Sequence, residues 1–403
     1  MAIIHPFKGW LPKPDKASEI SCVPYDVINT KEALQMAQGK PESFLHVIRP
    51  EIDLPAGTPF NADEVYEKGA ENLRNLLESE SMLQDENQSF YIYQLETKDR
   101  KQTGIFTCVS VEDYDNDVIL KHELTRPDKE DDRTRHILTQ SAHAEPVMLT
   151  FRDTTDVSSL MEKEMITSPP FIEFQSDDGV WHRIWKMEAK ADLSEAFSEI
   201  PKLYVADGHH RCKSASRAAE ELREKHSTHP GEAEFEYFPA VLFPIDQMKI
   251  LPYNRVIKSI SENQFNQLKK QFTLSEGANA TPAKKGDVSI YYAGHWYGMT
   301  LPQPKKKDAV SSLDASRLQN SILSPIFDIK NPRTDANIDF VGGIRGTSEL
   351  EKRVDQGDVD LAFSMYPTSI EELVHVSDEG LLMPPKSTWF EPKLRSGLII
   401  HTF

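Results

Sequence analysis

Cysteine is nearly missing: Cys22, Cys108 and Cys212 are the three in 403 residues. They are far apart and odd in number, which argues against a disulfide framework and points to a reducing compartment. No CxxC pair occurs, so a structural zinc site built on cysteines is excluded too. Positive charge is also short, with 46 Lys and Arg against 64 Asp and Glu, a formal net charge of −18. The basic run Lys305–Lys307 follows Pro302 and Pro304 in a stretch that reads as a loop. Such a field repels nucleic acid and anionic membrane, so neither is an expected partner. No apolar run is long enough to span a bilayer. The opening MAIIHPFKGWLPKP lacks a basic leader followed by a long apolar core, and a cytoplasmic protein is expected.

Several reaction signatures are missing as well. There is no GxSxG nucleophile elbow, no GxxxxGK[ST] phosphate loop, no kinase HRD or DFG set and no GxGxxG fingerprint. His122-Glu123 begins a zinc-protease HExxH, but Arg126 stands where the second His should be. Mechanisms that need those parts are set aside.

What is present is an ordinary globular composition, 38% apolar and 27% charged, in a chain long enough for two or three domains. The pattern predicts an α+β fold with regions at 1–118, 119–250 and 251–403. Periodicity predicts helices at 31–38, 61–79, 131–140 and 193–200, and strands at 44–51, 90–96, 104–111, 147–151 and 239–245. Further on it predicts a hairpin at 289–300 turning at Ala293-Gly294, helices at 315–323 and 348–354, and a last strand at 398–403. Ser261 with Gln264, and Thr368 with Glu371, have capping-box spacing.

The most informative stretch is KLYVADGHHRCKSASRAAEEL, Lys202–Leu222. Leu203–Val205 are strand-like, and Asp207-Gly208 makes a tight turn. Cys212, Ala215, Ala219 and Leu222 then recur at helical spacing. His209, His210 and Arg211 therefore fall in the first helical turn, where unpaired N–H groups and the macrodipole attract anions. Gly208 lets backbone approach a ligand closely. The competing reading is a solvated Asp-Gly turn. Glu123 sits in a charge-dense polar turn, where it is either a general base or a solvated carboxylate. Lys386-Ser387-Thr388 follows two prolines and places one cation and two hydroxyls on a stiffened loop. That loop suits either a phosphate or nothing in particular.

Taken together, YVADGHHR, LKHELTRP and PPKSTWFEPKL resemble the ParB/sulfiredoxin-like superfamily, and within it the archaeal free serine kinases. CVPYDVI, HELTRPDKEDDR, ADGHHR and MPPKSTWFEPK, in that order, resemble one large bacterial family of unknown function. The resemblance implies a ParB/sulfiredoxin-like nucleotide-binding core at 119–250 with N-terminal and C-terminal α+β additions. His209 stands where sulfiredoxins carry Cys, and no basic helix-turn-helix module is appended, so peroxiredoxin repair and DNA partition are not expected.

The implied activity is phosphoryl transfer between a nucleotide, ATP or ADP, and the hydroxyl of free L-serine, with O-phosphoserine as the other partner. Glu123 would be the base. Asp207 would hold Mg²⁺ or orient His209. Gly208, His209, His210, Arg211, Lys386, Ser387 and Thr388 would hold phosphate. Arg133 and Arg255 would meet the substrate carboxylate, Asp26 its amino group, with Asn254 beside Arg255. A homodimer is the further partner counted. The alternatives are a nucleotide-sensing regulator without turnover and a phosphoserine hydrolase.

Overall fold

Strand Lys101–Ser110 is buried at every position after its first residue, as a central strand covered on both faces must be. It lies inside a nine-stranded mixed sheet in the computed structural model, which describes residues 2–153, 157–189 and 191–403. The sheet runs Ile119–Leu120, Leu203–Asp207, Val147–Phe151, Tyr237–Pro244, Lys101–Ser110, Ser89–Glu96, Trp181–Glu188, Ile172–Gln175, with Ile4–His5 added beside Lys101–Ser110. Strands from both sides of residue 119 thus share one sheet. Val147–Phe151 is parallel to Tyr237–Pro244 and antiparallel to Leu203–Asp207. Helices Asp63–Leu77, Pro127–Gln140 and His209–His226 belong to the same unit.

The chain divides into two compact units. The first takes Met1–Lys121, Thr125–Met248 and Pro392–Phe403, and the second takes His122–Leu124 and Lys249–Glu391. The second is built on a wholly antiparallel six-stranded sheet, in the order Ser275–Glu276, His295–Thr300, Asp287–Tyr292, Leu361–Met365, Tyr253–Ile257, Ile338–Gly342. Its core gathers Ile257, Phe265, Leu268, Ile290, Leu318, Leu361 and Phe363. The first unit's core includes Ile92, Ile105, Leu149, Val205, Cys212, Ala215 and Leu242. Among the described residues no helix is long and apolar enough to cross a membrane.

Mixed α+β architecture is therefore what the pattern predicted, and most elements fall where periodicity put them. Four differ for physical reasons. The expected strand at 44–51 is helix Leu45–Ile48 followed by a 3₁₀ turn Pro50–Asp53; a short apolar run buried on several sides reads alike as either element. The helix expected from residue 131 begins at Pro127, because proline suits the first helical position, where no N–H is needed. The helix expected at 315–323 continues through a π-helical turn, Gln319–Leu323, into Ser324–Phe327. The wider turn makes room for the ring of Pro325, which cannot donate to the ladder. The last strand shrinks to His401–Thr402, paired with Ala142–His143.

Candidate functional site

In the first unit the strand that ends at Asp207 is irregular where it matters. Val205 lies opposite Leu149 and Asp207 opposite Met148, so the register slips between them. A bulge of this kind bends a strand end and re-aims its last side chains. Gly208 follows at φ +100°, and an added Cβ would lie 3.0 Å from Arg211 Nε and 3.1 Å from Val147 Cγ1. Only glycine meets both the backbone angle and the space. Helix His209–His226 starts immediately, with Cys212, Ala215, Ala219 and Leu222 all buried on its inner face.

Of the three first-turn side chains expected to hold phosphate, Arg211 is turned inward. Arg211 is 8% exposed, donates to the carbonyl of Pro146, and lies 3.8 Å from Asp207. Burial works against its charge, but Asp207, Glu145 and Asp26 more than compensate and raise its pKa. Asp207 at the strand end and the Pro146 carbonyl draw the guanidinium inward rather than out over the helix tip. His210 Nε2 lies 3.1 Å from the Arg126 N–H, which donates to it. His209 is buried.

Asp207 receives Lys393 Nζ at 3.0 Å. Burial pushes its carboxyl up, but Lys393 and then Arg211 outweigh that and hold it well below the usual carboxylate range. A carboxylate already shared by two cations does not fit as a Mg²⁺ ligand, since a hard dication would have to displace them. Of the two roles open to Asp207, orienting its neighbours fits and metal binding does not.

Behind this corner lies a charged network. Arg133 donates from Nε and Nη2 to one oxygen, Asp132 Oδ2, at 3.0 and 2.8 Å, stands 3.9 Å from Glu145 and covers the Tyr25 ring at 4.1 Å. Glu145 also accepts from the Tyr25 N–H at 3.2 Å and from Ser396 Oγ at 3.0 Å. Burial raises the Glu145 pKa, with Arg211 and Arg133 opposing. Asp26 is exposed, close enough to act electrostatically on Tyr25, Glu145 and Arg211. A cavity of about 40 Å³, lined among others by Arg133, Glu145, Arg211, His136 and His143, adjoins these groups.

The second unit brings together stretches more than 250 residues apart in sequence. The Met383 N–H donates to the carbonyl of His122 at 2.7 Å, and His122 Nε2 lies 3.4 Å from Thr388 Oγ1. Glu123, half-buried, is therefore next to a residue tied to the proline-rich loop. That loop is fixed by two further bonds. Thr368 Oγ1 donates to the Ser387 carbonyl at 2.8 Å, and Ser387 Oγ to the Pro384 carbonyl at 2.8 Å. Thr368 is thereby diverted from helix capping. The observed box is Ser369 with Glu372, at 2.9 and 3.2 Å, one residue beyond the expected pair. Lys386 takes φ +57° and places Nζ 5.4 Å from the Tyr253 ring centre. Tyr253, Asn254 and Arg255 lie on the neighbouring strand. Asn254 Oδ1 accepts from the Met365 N–H at 2.9 Å, and Arg255 donates to the Tyr253 carbonyl.

The candidates thus fall into two groups. Asp26, Arg133, Asp207, Gly208, His209, His210 and Arg211 are in the first unit; Glu123, Asn254, Arg255, Lys386, Ser387 and Thr388 are in the second. Sequence reasoning missed Glu145, Tyr25 and Lys393. The signal for Glu145 was a lone acid in AHAEPVML, at the entrance of a wholly buried strand; Lys393 lay in the EPKL that follows the KST triplet.

Among curated proteins none matches the chain. Solved structures similar to it include a free serine kinase in complex with AMP, at 11% identity and TM-score 0.36, covering 71% of this chain and 86% of that one. SbnI with a C-terminal truncation, from Staphylococcus aureus, is similar at 12% identity and TM-score 0.39, covering 72% and 85%. A conserved hypothetical protein from Pyrococcus furiosus is similar at 12% identity and TM-score 0.36, covering 73% and 93%. Likeness at this level carries no argument about chemistry. The family is settled by the match of residues 4–316 to one family model: the chain belongs to DUF1015, a family of proteins of unknown function.

Proposed function

We propose that the protein is a small-molecule phosphotransferase that moves a phosphoryl group between a nucleotide and the hydroxyl of free L-serine, with a ParB/sulfiredoxin-like core in its first unit. The observation that carries this reading is the junction of His122-Glu123 with the PPKST loop, through Met383 to His122 at 2.7 Å and His122 to Thr388 at 3.4 Å. Nothing local in the sequence requires those two stretches to meet. Their meeting puts a carboxylate beside a loop that carries one cation and two hydroxyls.

Phosphoryl transfer asks the protein mainly for positioning and charge neutralisation. In the serine-phosphorylating direction the serine Oγ attacks the terminal phosphorus of ATP. Glu123 takes the Oγ proton, the bond to the bridging oxygen breaks, and ADP leaves with that electron pair. Backbone N–H groups of the first turn after Gly208, with His209 and His210, hold phosphate oxygens. Arg211, held inward, braces the turn together with Asp207 and Lys393. Lys386, Ser387 and Thr388 neutralise and position the transferred group. Asp26, Arg133, Asn254 and Arg255 are the substrate-binding candidates. No step is assigned to a metal at Asp207.

The test is ³¹P NMR of the protein with magnesium, ATP and a panel of hydroxy-amino acids, and separately with O-phosphoserine and ADP. A new phosphoester, or ATP formed from O-phosphoserine, is the expected result. Nucleotide binding with no phosphoryl movement would transfer the protein to the sensing class, and free phosphate from O-phosphoserine alone would make it a hydrolase. Glu123→Gln should lower turnover by roughly 10²–10⁴-fold with nucleotide affinity kept. A loss below about tenfold removes Glu123 from the base role.

A further inference from the structure

Arg255 is a buried charge in the second unit with no anion paired to it among the described residues. It is 4% exposed. Among the described residues its side chain makes one hydrogen bond, to the carbonyl of Tyr253, two residues earlier on the same strand, and the Phe340 ring lies 5.6 Å away. No carboxylate among the described residues lies within ion-pair distance, and burial alone draws its pKa down, to about 10. The side chain therefore keeps its charge at neutral pH in a place where an unpaired charge is costly.

Carboxylates do line the same small cavity, but each is committed elsewhere. Asp314 holds Arg317 at 2.7 Å and accepts from the Gly286 N–H at 2.6 Å. Glu372 caps its helix through the Ser369 N–H at 2.9 Å and receives Lys285 at 2.5 Å. The cavity, about 10 Å³ and lined by Tyr253, Arg255, Tyr366, Thr368 and Ser387 besides those two acids, has room for one oxygen-sized atom. Its wall includes the loop that carries Lys386, whose ammonium lies over Tyr253, the residue that Arg255 grips.

We infer that Arg255 is the seat of an oxyanion subsite, in which one oxygen of a small carboxylate or phosphate enters the cavity and meets the guanidinium. A planar, permanently charged fork suits either anion, and an oxygen acceptor supplies what the surrounding residues do not. The seat itself does not depend on phosphotransfer; only the choice of physiological anion rests on that reading.

The experiment uses the full chain without nucleotide. Inorganic phosphate, L-serine and O-phosphoserine are titrated by calorimetry against sodium chloride of matched ionic strength. The wild type should bind at least one of them. L-serine alone would assign the seat to a carboxylate, phosphate alone to a phosphoryl group, and binding of both to oxyanions in general. Arg255→Met should weaken that binding roughly 10–100-fold. In anion-free buffer the same variant should melt no lower than wild type, because it removes an uncompensated charge. A second measurement, independent of how Arg255→Met folds, follows the arginine Nε–H resonances of the labelled wild type. One resonance missing from Arg255→Lys should shift on titration. The inference is overturned if no probe binds beyond matched chloride, if Arg255→Met binds as wild type does, or if the Arg255 resonance stays still. Anion binding at Arg255 without phosphoryl transfer would overturn the proposed function and leave the subsite standing.

Discussion

Asp207 sits between Lys393 and Arg211 at the end of a bulged strand, and its ionisation should show in the stability of the first unit. Its folded pKa is depressed below the unfolded value of about 3.9. The contribution is thus fully present above the unfolded range and is lost as pH falls toward the folded pKa. Asp207→Asn removes it and leaves two cations without their anion, at a cost of roughly 1–3 kcal/mol near neutrality. Urea unfolding at pH 7, 5 and 3 should show the gap between wild type and variant equal at the upper two values and narrowed, though still open, at the lowest. A gap independent of pH would mean that the carboxylate is not ionised against Lys393. The sequence marked Asp207, Gly208 and the helix start, because strand, turn glycine and helical spacing are local signals. Lys393 as the partner of Asp207 could not be read, since 186 residues separate them.

Among the elements, the helix Ile370–Asp378 and the loop before Trp389–Phe390 share adjacent residues in different jobs. Ser369 caps the helix, while Thr368 bonds the loop. Ser369→Ala should therefore cost about 1 kcal/mol of stability, measured by thermal or urea unfolding, with little effect on turnover. Thr368→Val keeps the cap and frees the Ser387 carbonyl. It should lower turnover severalfold while costing no more than about 1 kcal/mol. If the two variants behave in the reverse way, the box belongs to Thr368 and Glu371 after all. Both hydroxyls precede an acid at the right spacing, so sequence alone had no ground to choose between them. The choice is made by the loop, which arrives from later in the chain and claims one hydroxyl. The hairpin Asp287–Tyr292 with His295–Thr300 shows the contrary case. Its turn at Ala293-Gly294, both at positive φ, was legible because everything that sets it is within a few residues.

At the scale of the whole molecule, each unit has its own packed core, and each should respond to a cavity in it. Phe363, fully buried in the second unit, should cost about 3–5 kcal/mol when cut to Ala, seen as a lowered urea midpoint for that unit's transition. A loss under about 1 kcal/mol would mean that this core is not packed as described. The sequence by itself determined what depends on neighbours along the chain: the α+β alternation, most element positions, the glycine that must stand after Asp207, and an acidic overall charge. Only the tertiary structure decided that Arg211 turns inward, that Asp207 answers to Lys393, that His122 meets Thr388, and that Arg255 is left without an anion. Each of these is a matter of which charges end up within a few ångströms of one another. Electrostatic energy depends on that distance and on burial, and neither is written in sequence order.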